Sequence, residues 1–164
     1  MSASATDPAL TAADSSSPEP GDALSTDYLN RYSEALMLLE MTTCDRSMLA
    51  ELKAWRAVGY LEHFRQSRLR CAEEAQRAYR TLGPAQAERF EELCTAMNRL
   101  VATVSALLDD VPEQDVALVV EVAARALRRL IGQAATFINA NGRIELARVD
   151  VDALQAEIDR LLAS

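Results

Sequence analysis

A single histidine, His63, and a single lysine, Lys53, occur in 164 residues, and that scarcity excludes whole classes of chemistry. One imidazole cannot build a histidine-rich metal cluster or the paired Glu-x-x-His motifs of a di-iron bundle. No GxGxxG, phosphate-loop, GxSxG or HExxH motif is present. No catalytic residue, cofactor or metal is therefore expected. Cys44, Cys71 and Cys94 are odd in number and lack CxxC spacing, which excludes a disulfide framework. They read as buried, reduced thiols of a cytoplasmic protein. No apolar run approaches ~20 residues, and no basic and apolar leader opens the chain, so neither a membrane span nor secretion is expected.

Five glycines, five prolines and an aromatic content of 5% argue against a strand-rich fold. The formal charge of −8 is the wrong sign for a general nucleic-acid binder, which needs a basic surface to neutralise phosphates. Arginine supplies 16 of the 17 basic residues, a bias that a GC-rich coding sequence also produces.

What is present is helical periodicity. Phe90, Leu93, Met97, Leu100, Val104 and Leu107 recur at spacings of three and four. Val116, Val120, Ala123, Leu127, Leu130, Ala134 and Phe137 do the same beyond Pro112. Such spacing keeps apolar side chains on one helical face, so residues 84–141 predict two helices, each roughly 40 Å long, folded into an antiparallel hairpin. Gly83-Pro84 starts the hairpin, Asp109-Asp110-Val111-Pro112 turns it, and Asn141-Gly142 ends it in a left-handed stop.

Shorter elements flank the hairpin. Residues 1–24, with four acidic residues and no basic one, predict a disordered tail, and 25–164 a single domain. Ser25 or Thr26 caps a first helix on which Tyr28, Tyr32, Leu36 and Leu39 recur, with Met37 and Met41 widening its apolar face. Asp45 caps a short second helix carrying Met48, Leu52 and Trp55, ended or bent at Gly59. Residues 60–64 fit helix or loop equally. A third helix is expected from about Leu69 to Leu82, and a last one, capped by Asp150, with Leu154, Ile158 and Leu161 as its stripe. The prediction is an all-α bundle of six helical pieces. Val119, Val122, Ala126 and Ile131, with Cys94, Val101 and Leu108, add apolar surface beside the two seams. Either the short helices cover it in a monomer, or two hairpins meet as a homodimer, the outcome slightly favoured.

Two features point toward function. Residues 56–80 hold six arginines against three glutamates, a local excess of three positive charges in an acidic chain. Glu73–Arg77 and Arg70–Glu74 have helical pairing distances, whereas Arg65, Arg68 and Arg80 lack a local acid at those spacings. These three are the candidate patch for docking an acidic protein partner. The competing expectation is that they brace the fold through Glu51, Glu88, Glu91 or Glu92. The second feature is His63, a phosphoacceptor if its ring is exposed beside Arg65 and Ser67. Gln66 and Ser67, however, stand where phosphotransfer domains carry lysine and glycine. The sequence thus predicts a non-enzymatic, cytoplasmic interaction or regulatory module. The alternatives are a bundle holding a small apolar or anionic ligand, and a histidine phosphotransfer-type signalling bundle using His63.

Overall fold

The computed structural model of the chain describes residues 22–146 and 151–163. It is all-α, with no strand among the described residues. A 3-10 turn (Thr26–Leu29) leads into α1 (Asn30–Met41), α2 (Met48–Ala54), α3 (Tyr60–Gln66), α4 (Ala72–Arg80), α5 (Pro84–Asp110), α6 (Glu113–Asn139) and α7 (Val151–Ala163). Among the described residues seven α-helices replace the expected six, because the ambiguous stretch after Gly59 is helical. Tyr60 and Phe64, four residues apart, bury on one face and so select helix over loop.

α5 and α6 are each 27 residues long and form the expected hairpin. Every expected seam residue of α6 is buried, and on α5 only Leu107 is partly open. Pro84 occupies the first turn of α5, and the Gly83 N–H donates to Gln86 Oε1 at 3.1 Å. The far end of α6 closes through Asn141 and Gly142, at φ 52° and 76°. A β-carbon at Gly142 would come within 2.3 Å of Leu82, so this turn requires glycine both for its backbone and for its room.

The short helices cover the surface that the hairpin leaves open. α1 lies on α6, α2 lies on α5, and α7 also packs on α6. Val119, Val101 and Leu108 are buried as a result, while Val122, Ala126, Ile131 and Cys94 stay partly open. Arg46 Nη2 donates to the Leu108 carbonyl at 2.9 Å, and Lys53 pairs with Asp109, so α2 and the turn before it clamp the hairpin's bend. Ser25 Oγ caps the 3-10 turn at the Asp27 N–H, 3.2 Å away. Asp45 Oδ1 accepts from both the N–H and the hydroxyl of Ser47, just ahead of α2. α2 stops at Ala54, before Gly59, and the Trp55 indole is fixed by donating to the Arg31 carbonyl at 3.0 Å. α4 is shorter at both ends than expected, because Ser67 Oγ takes the Leu69 N–H into a turn and Thr81 returns its hydroxyl to the Ala78 carbonyl.

Three further expectations change. Met97 is core and Met48 half-buried, but Met37 and Met41 are exposed on α1. Cys44 is exposed in the turn after α1, where no helix packs over it, and Cys71 and Cys94 are half-buried. Residues 22–24, expected to belong to the disordered tail, are held against the fold: the Asp22 carboxylate, only 3% exposed, accepts two bonds from the Arg77 guanidinium at 3.1 and 3.2 Å. Leu24 is buried beside it, with its N–H donating to Asn141 Oδ1 at 2.9 Å. Residues 1–21, the Asp150 cap and the side chains of Leu154, Ile158 and Leu161 lie outside the described residues. No helix among the described residues is long and apolar enough to cross a membrane.

Leu130, 2% exposed in the seam, tests the hairpin as the stability core. Its replacement by alanine is expected to cost about 2–5 kcal/mol in urea unfolding, and a loss below about 0.5 kcal/mol would contradict the packing. The amino strap makes its own claim. A chain beginning at Ser25 should be less stable than one beginning at Asp22 by at least ~2 kcal/mol, the burial of Leu24 together with the Arg77 bonds. Equal melting temperatures would show that residues 22–24 hold nothing.

Candidate functional site

The arginine-rich segment folds into a corner between α3 and α4. Arg65 sits in the last turn of α3, and Arg68 and Arg70 stand in the connection to α4, all three exposed. Leu69 between them is 45% exposed, one of four large apolar side chains so placed among the described residues. Arg80 is exposed as well, but it ends α4, roughly 12 Å along the axis from the first residue of that helix. The expected patch of Arg65, Arg68 and Arg80 is therefore divided, with Arg70 in the place expected for Arg80. The sequence reading placed Leu69 and Arg70 on a helix and so missed this corner; the local signal was Ser67, whose hydroxyl stops the helical run.

The pairings also differ from those expected. Arg65 meets Glu62 at 3.6 Å, three residues back, so it does have a local acid. Arg77 takes Asp22 rather than Glu73, and that hydrogen-bonded carboxylate, foremost among the causes, raises its already high pKa. Arg68, Arg70 and Arg80 form no ion pair among the described residues. None of Glu51, Glu88, Glu91 or Glu92 braces the candidate arginines: Glu92 takes Arg89 at 3.2 Å, and Glu91 accepts the Tyr79 hydroxyl at 3.1 Å.

His63 faces inward. Its Nε2 lies 2.9 Å from Asp27 Oδ2, its side chain is 13% exposed, and its ring meets Tyr28 and Phe64 edge-on. A phosphoacceptor needs an open ring nitrogen, and here the contact with Asp27 occupies Nε2. Among the described residues no group of histidine, cysteine and carboxylate side chains is placed to hold a metal.

Behind His63 lies an aromatic knot that sequence reading did not assemble, because its members come from five separate elements. Tyr28, Tyr32, Phe64 and Phe90 are almost wholly enclosed, and Tyr60 stacks on Tyr79 with centroids 4.7 Å apart. The hydroxyls find partners: Tyr28 donates to the Val58 carbonyl at 2.7 Å and Tyr32 to Asn98 Oδ1 at 2.9 Å, while Tyr60 accepts the Ser25 N–H at 2.9 Å. Burial pushes the Cys94 thiol up to about 12. Burial likewise lifts the Tyr28, Tyr32, Tyr60 and Tyr79 hydroxyls well above the ordinary phenol range. These groups stay protonated and poorly nucleophilic at neutral pH.

Two open clefts run along α5 in front of this knot. One, of about 530 Å³, lies against α3 and is lined by Glu62, Arg65, Tyr79, Glu91 and Cys94. The other, of about 510 Å³, lies against α2 and is lined by Lys53, Arg56, Ala102, Ser105 and Asp109. Ala57 and Asn98 border both, so the two adjoin along α5 as the two ends of one groove-like face.

The buried hydroxyls and thiol fix the alkaline limit of the fold. The native chain holds these protons to higher pH than the unfolded chain, which releases them near 9.0 for the thiol and 10.0 for the phenols. Their contribution to stability is complete below those values and is lost as pH rises beyond them, at about 1.4 kcal/mol per pH unit for each group. Melting temperature should therefore fall steeply above about pH 9–10, with tyrosinate absorbance appearing together with unfolding. Tyrosinate formed near pH 10 in a chain still folded would show the hydroxyls to be open.

No protein-family model matches the chain, and neither the curated proteins nor the solved structures compared with it give a match, so its function rests on the chemistry of these residues.

Proposed function

We propose that the chain is a non-enzymatic helical interaction module that docks an acidic protein surface at the α3–α4 corner. The observation that carries this reading is exposed Leu69 flanked by Arg68 and Arg70, neither of them ion-paired among the described residues. An apolar centre with a charged rim is the anatomy of a protein interface, and arginine is the basic residue enriched there. In a chain of formal charge −8, a basic corner also selects orientation, since most of the remaining surface repels an acidic partner. A docking role is favoured over a chemical one by the state of the reactive groups: His63 is committed to Asp27, and Cys94 is held protonated.

The test compares the wild-type chain with an Arg65→Glu, Arg68→Glu, Arg70→Glu variant. A partner recovered on the wild-type chain should associate more slowly with the variant, by about tenfold or more, and with less dependence on salt. Stability should change by less than about 0.5 kcal/mol per exposed site. Leu69→Ser should chiefly speed dissociation. A large melting loss with normal binding by the folded fraction would end the docking reading and make the corner part of the scaffold.

A further inference from the structure

The groove along α5 is self-complementary. Of the side chains lining its α3 end, Glu62, Glu91 and Arg65 are charged, two acids and one base, for a net charge of −1. At its α2 end Lys53, Arg56 and Asp109 are charged, two bases and one acid, for a net charge of +1. Inside each end one pair is already satisfied, Glu62 with Arg65 and Lys53 with Asp109. That leaves Glu91, bonded among the described residues only to the Tyr79 hydroxyl, and Arg56, bonded among them only to the carbonyls of Lys53 and Trp55. An unpaired acid thus stands at one end and an unpaired base at the other.

The floor between them suits a second helix. Thr95, Ala102 and Ala106 are exposed on this side of α5, and all are small enough to let another backbone approach closely. Asn98 stands where the two clefts meet. Glu91 precedes it by seven residues, roughly 10.5 Å along the axis, on the α3 side, and Arg56 lines the cleft on its α2 side. Asn98 thus lies between two clefts whose unpaired charges are of opposite sign.

We infer that this groove binds a second copy of the chain, with the two α5 helices antiparallel about a two-fold axis passing near Asn98. The rotation brings Glu91 of each copy to Arg56 of the other, twice by symmetry, and lays each small-residue floor against its equivalent. Tyr32 occupies Asn98 Oδ1 from within, while Asn98 Nδ2 has no partner among the described residues. Two such amides facing each other across the axis can bond reciprocally, and a single polar residue in an apolar helix contact sets its register. On α5 this interface takes in Cys94 and Val101 of the stripe beside the seam, whereas on α6 the corresponding stripe is excluded from it because α1 covers Val119. It lies on other residues than Arg68, Leu69 and Arg70, so an Arg68→Glu, Arg70→Glu variant, which leaves Arg65 at the edge of the groove unchanged, tests the docking role independently of the dimer.

Sedimentation equilibrium of the full chain tests it. The expected mass at micromolar concentration is about twice 18.0 kDa. Glu91→Arg and Arg56→Glu should each weaken the dimer about tenfold or more, and the doubly exchanged chain should recover most of the loss. Ala102→Arg, at an exposed position that leaves the monomer core untouched, should abolish the dimer while helicity is retained. A wild-type mass of 18.0 kDa at every concentration overturns the inference. So does a double exchange that fails to recover, or a dimer unaffected by Ala102→Arg. Dimerisation seen only after residues 1–21 are removed would assign the groove to that segment instead, and a monomer that loses a different protein partner on Ala102→Arg would assign it to that partner.

Discussion

Two 27-residue helices with apolar residues on more than one face cannot bury all of them against each other, and the rest of the fold answers that constraint. The seam between α5 and α6 takes one stripe from each helix. The second stripes, including Val101 and Leu108 on α5 and Val119 on α6, would otherwise face water, at a cost of about 1.5–3 kcal/mol for each large side chain. α1 and α2 are too short to be stable alone, since isolated helices below about 12–15 residues are marginal in water. They persist because they close those stripes. The hairpin makes the short helices possible, and the short helices make the hairpin soluble.

Where the short helices end, polar chemistry takes over from apolar packing. The last helical bond of α2 is made by the Trp55 N–H and the first of α3 by the Gly59 carbonyl, so residues 56–58 lie in no helix, yet residues 55–59 form a wall of both clefts. They are placed by bonds from α1 and the turn ahead of it: the Trp55 indole to the Arg31 carbonyl, and the Tyr28 hydroxyl to the Val58 carbonyl. A buried hydroxyl left unpaired costs about 1–3 kcal/mol, so these bonds locate the linker more sharply than van der Waals contact would. The groove on α5 is thus a consequence of buried tyrosines. Its shape depends on Tyr28 and Tyr32 staying protonated, which burial ensures.

The legible parts of this fold were those dictated by local periodicity and backbone chemistry. The two seams, the proline start at Pro84 and the left-handed stop at Asn141-Gly142 could be read because each signal lies within a few residues of its effect. What escaped reading is long-range. Arg77 pairs with Asp22, 55 residues away, rather than with Glu73 at the favourable helical spacing, since an enclosed carboxylate gains more from a two-point partner than an exposed one does. Cys44 looked like core by residue type, but it falls in a turn. Of the docking candidates, Arg65 and Arg68 fell together, and Arg80 was separated from them by the length of α4, a distance that composition within a window does not carry. The groove was invisible because its residues, small or polar at Thr95, Asn98, Ala102 and Ala106, give no hydropathy signal on a helix already explained by its seam.

The arginines divide by what they touch. Arg46, Arg65, Arg77, Arg89, Arg125 and Arg128 reach carboxylates, and Arg46, Arg77 and Arg128 tie separate elements together. Apart from Arg77 with the enclosed Asp22, these are exposed pairs that contribute about 0–1 kcal/mol each, so the fold does not depend on pairing every arginine. Arg68 and Arg70 are free to remain unpaired at little cost to stability, and Arg56 bonds only to neighbouring backbone. A long, flexible cation left without an acid keeps its charge available over roughly a Debye length, ~8 Å at physiological salt. The same charge drawn into an internal pair would lose that reach. Stability therefore neither requires nor removes these charges, which leaves them available to the acidic surface proposed at the α3–α4 corner and to the second copy proposed at the α5 groove.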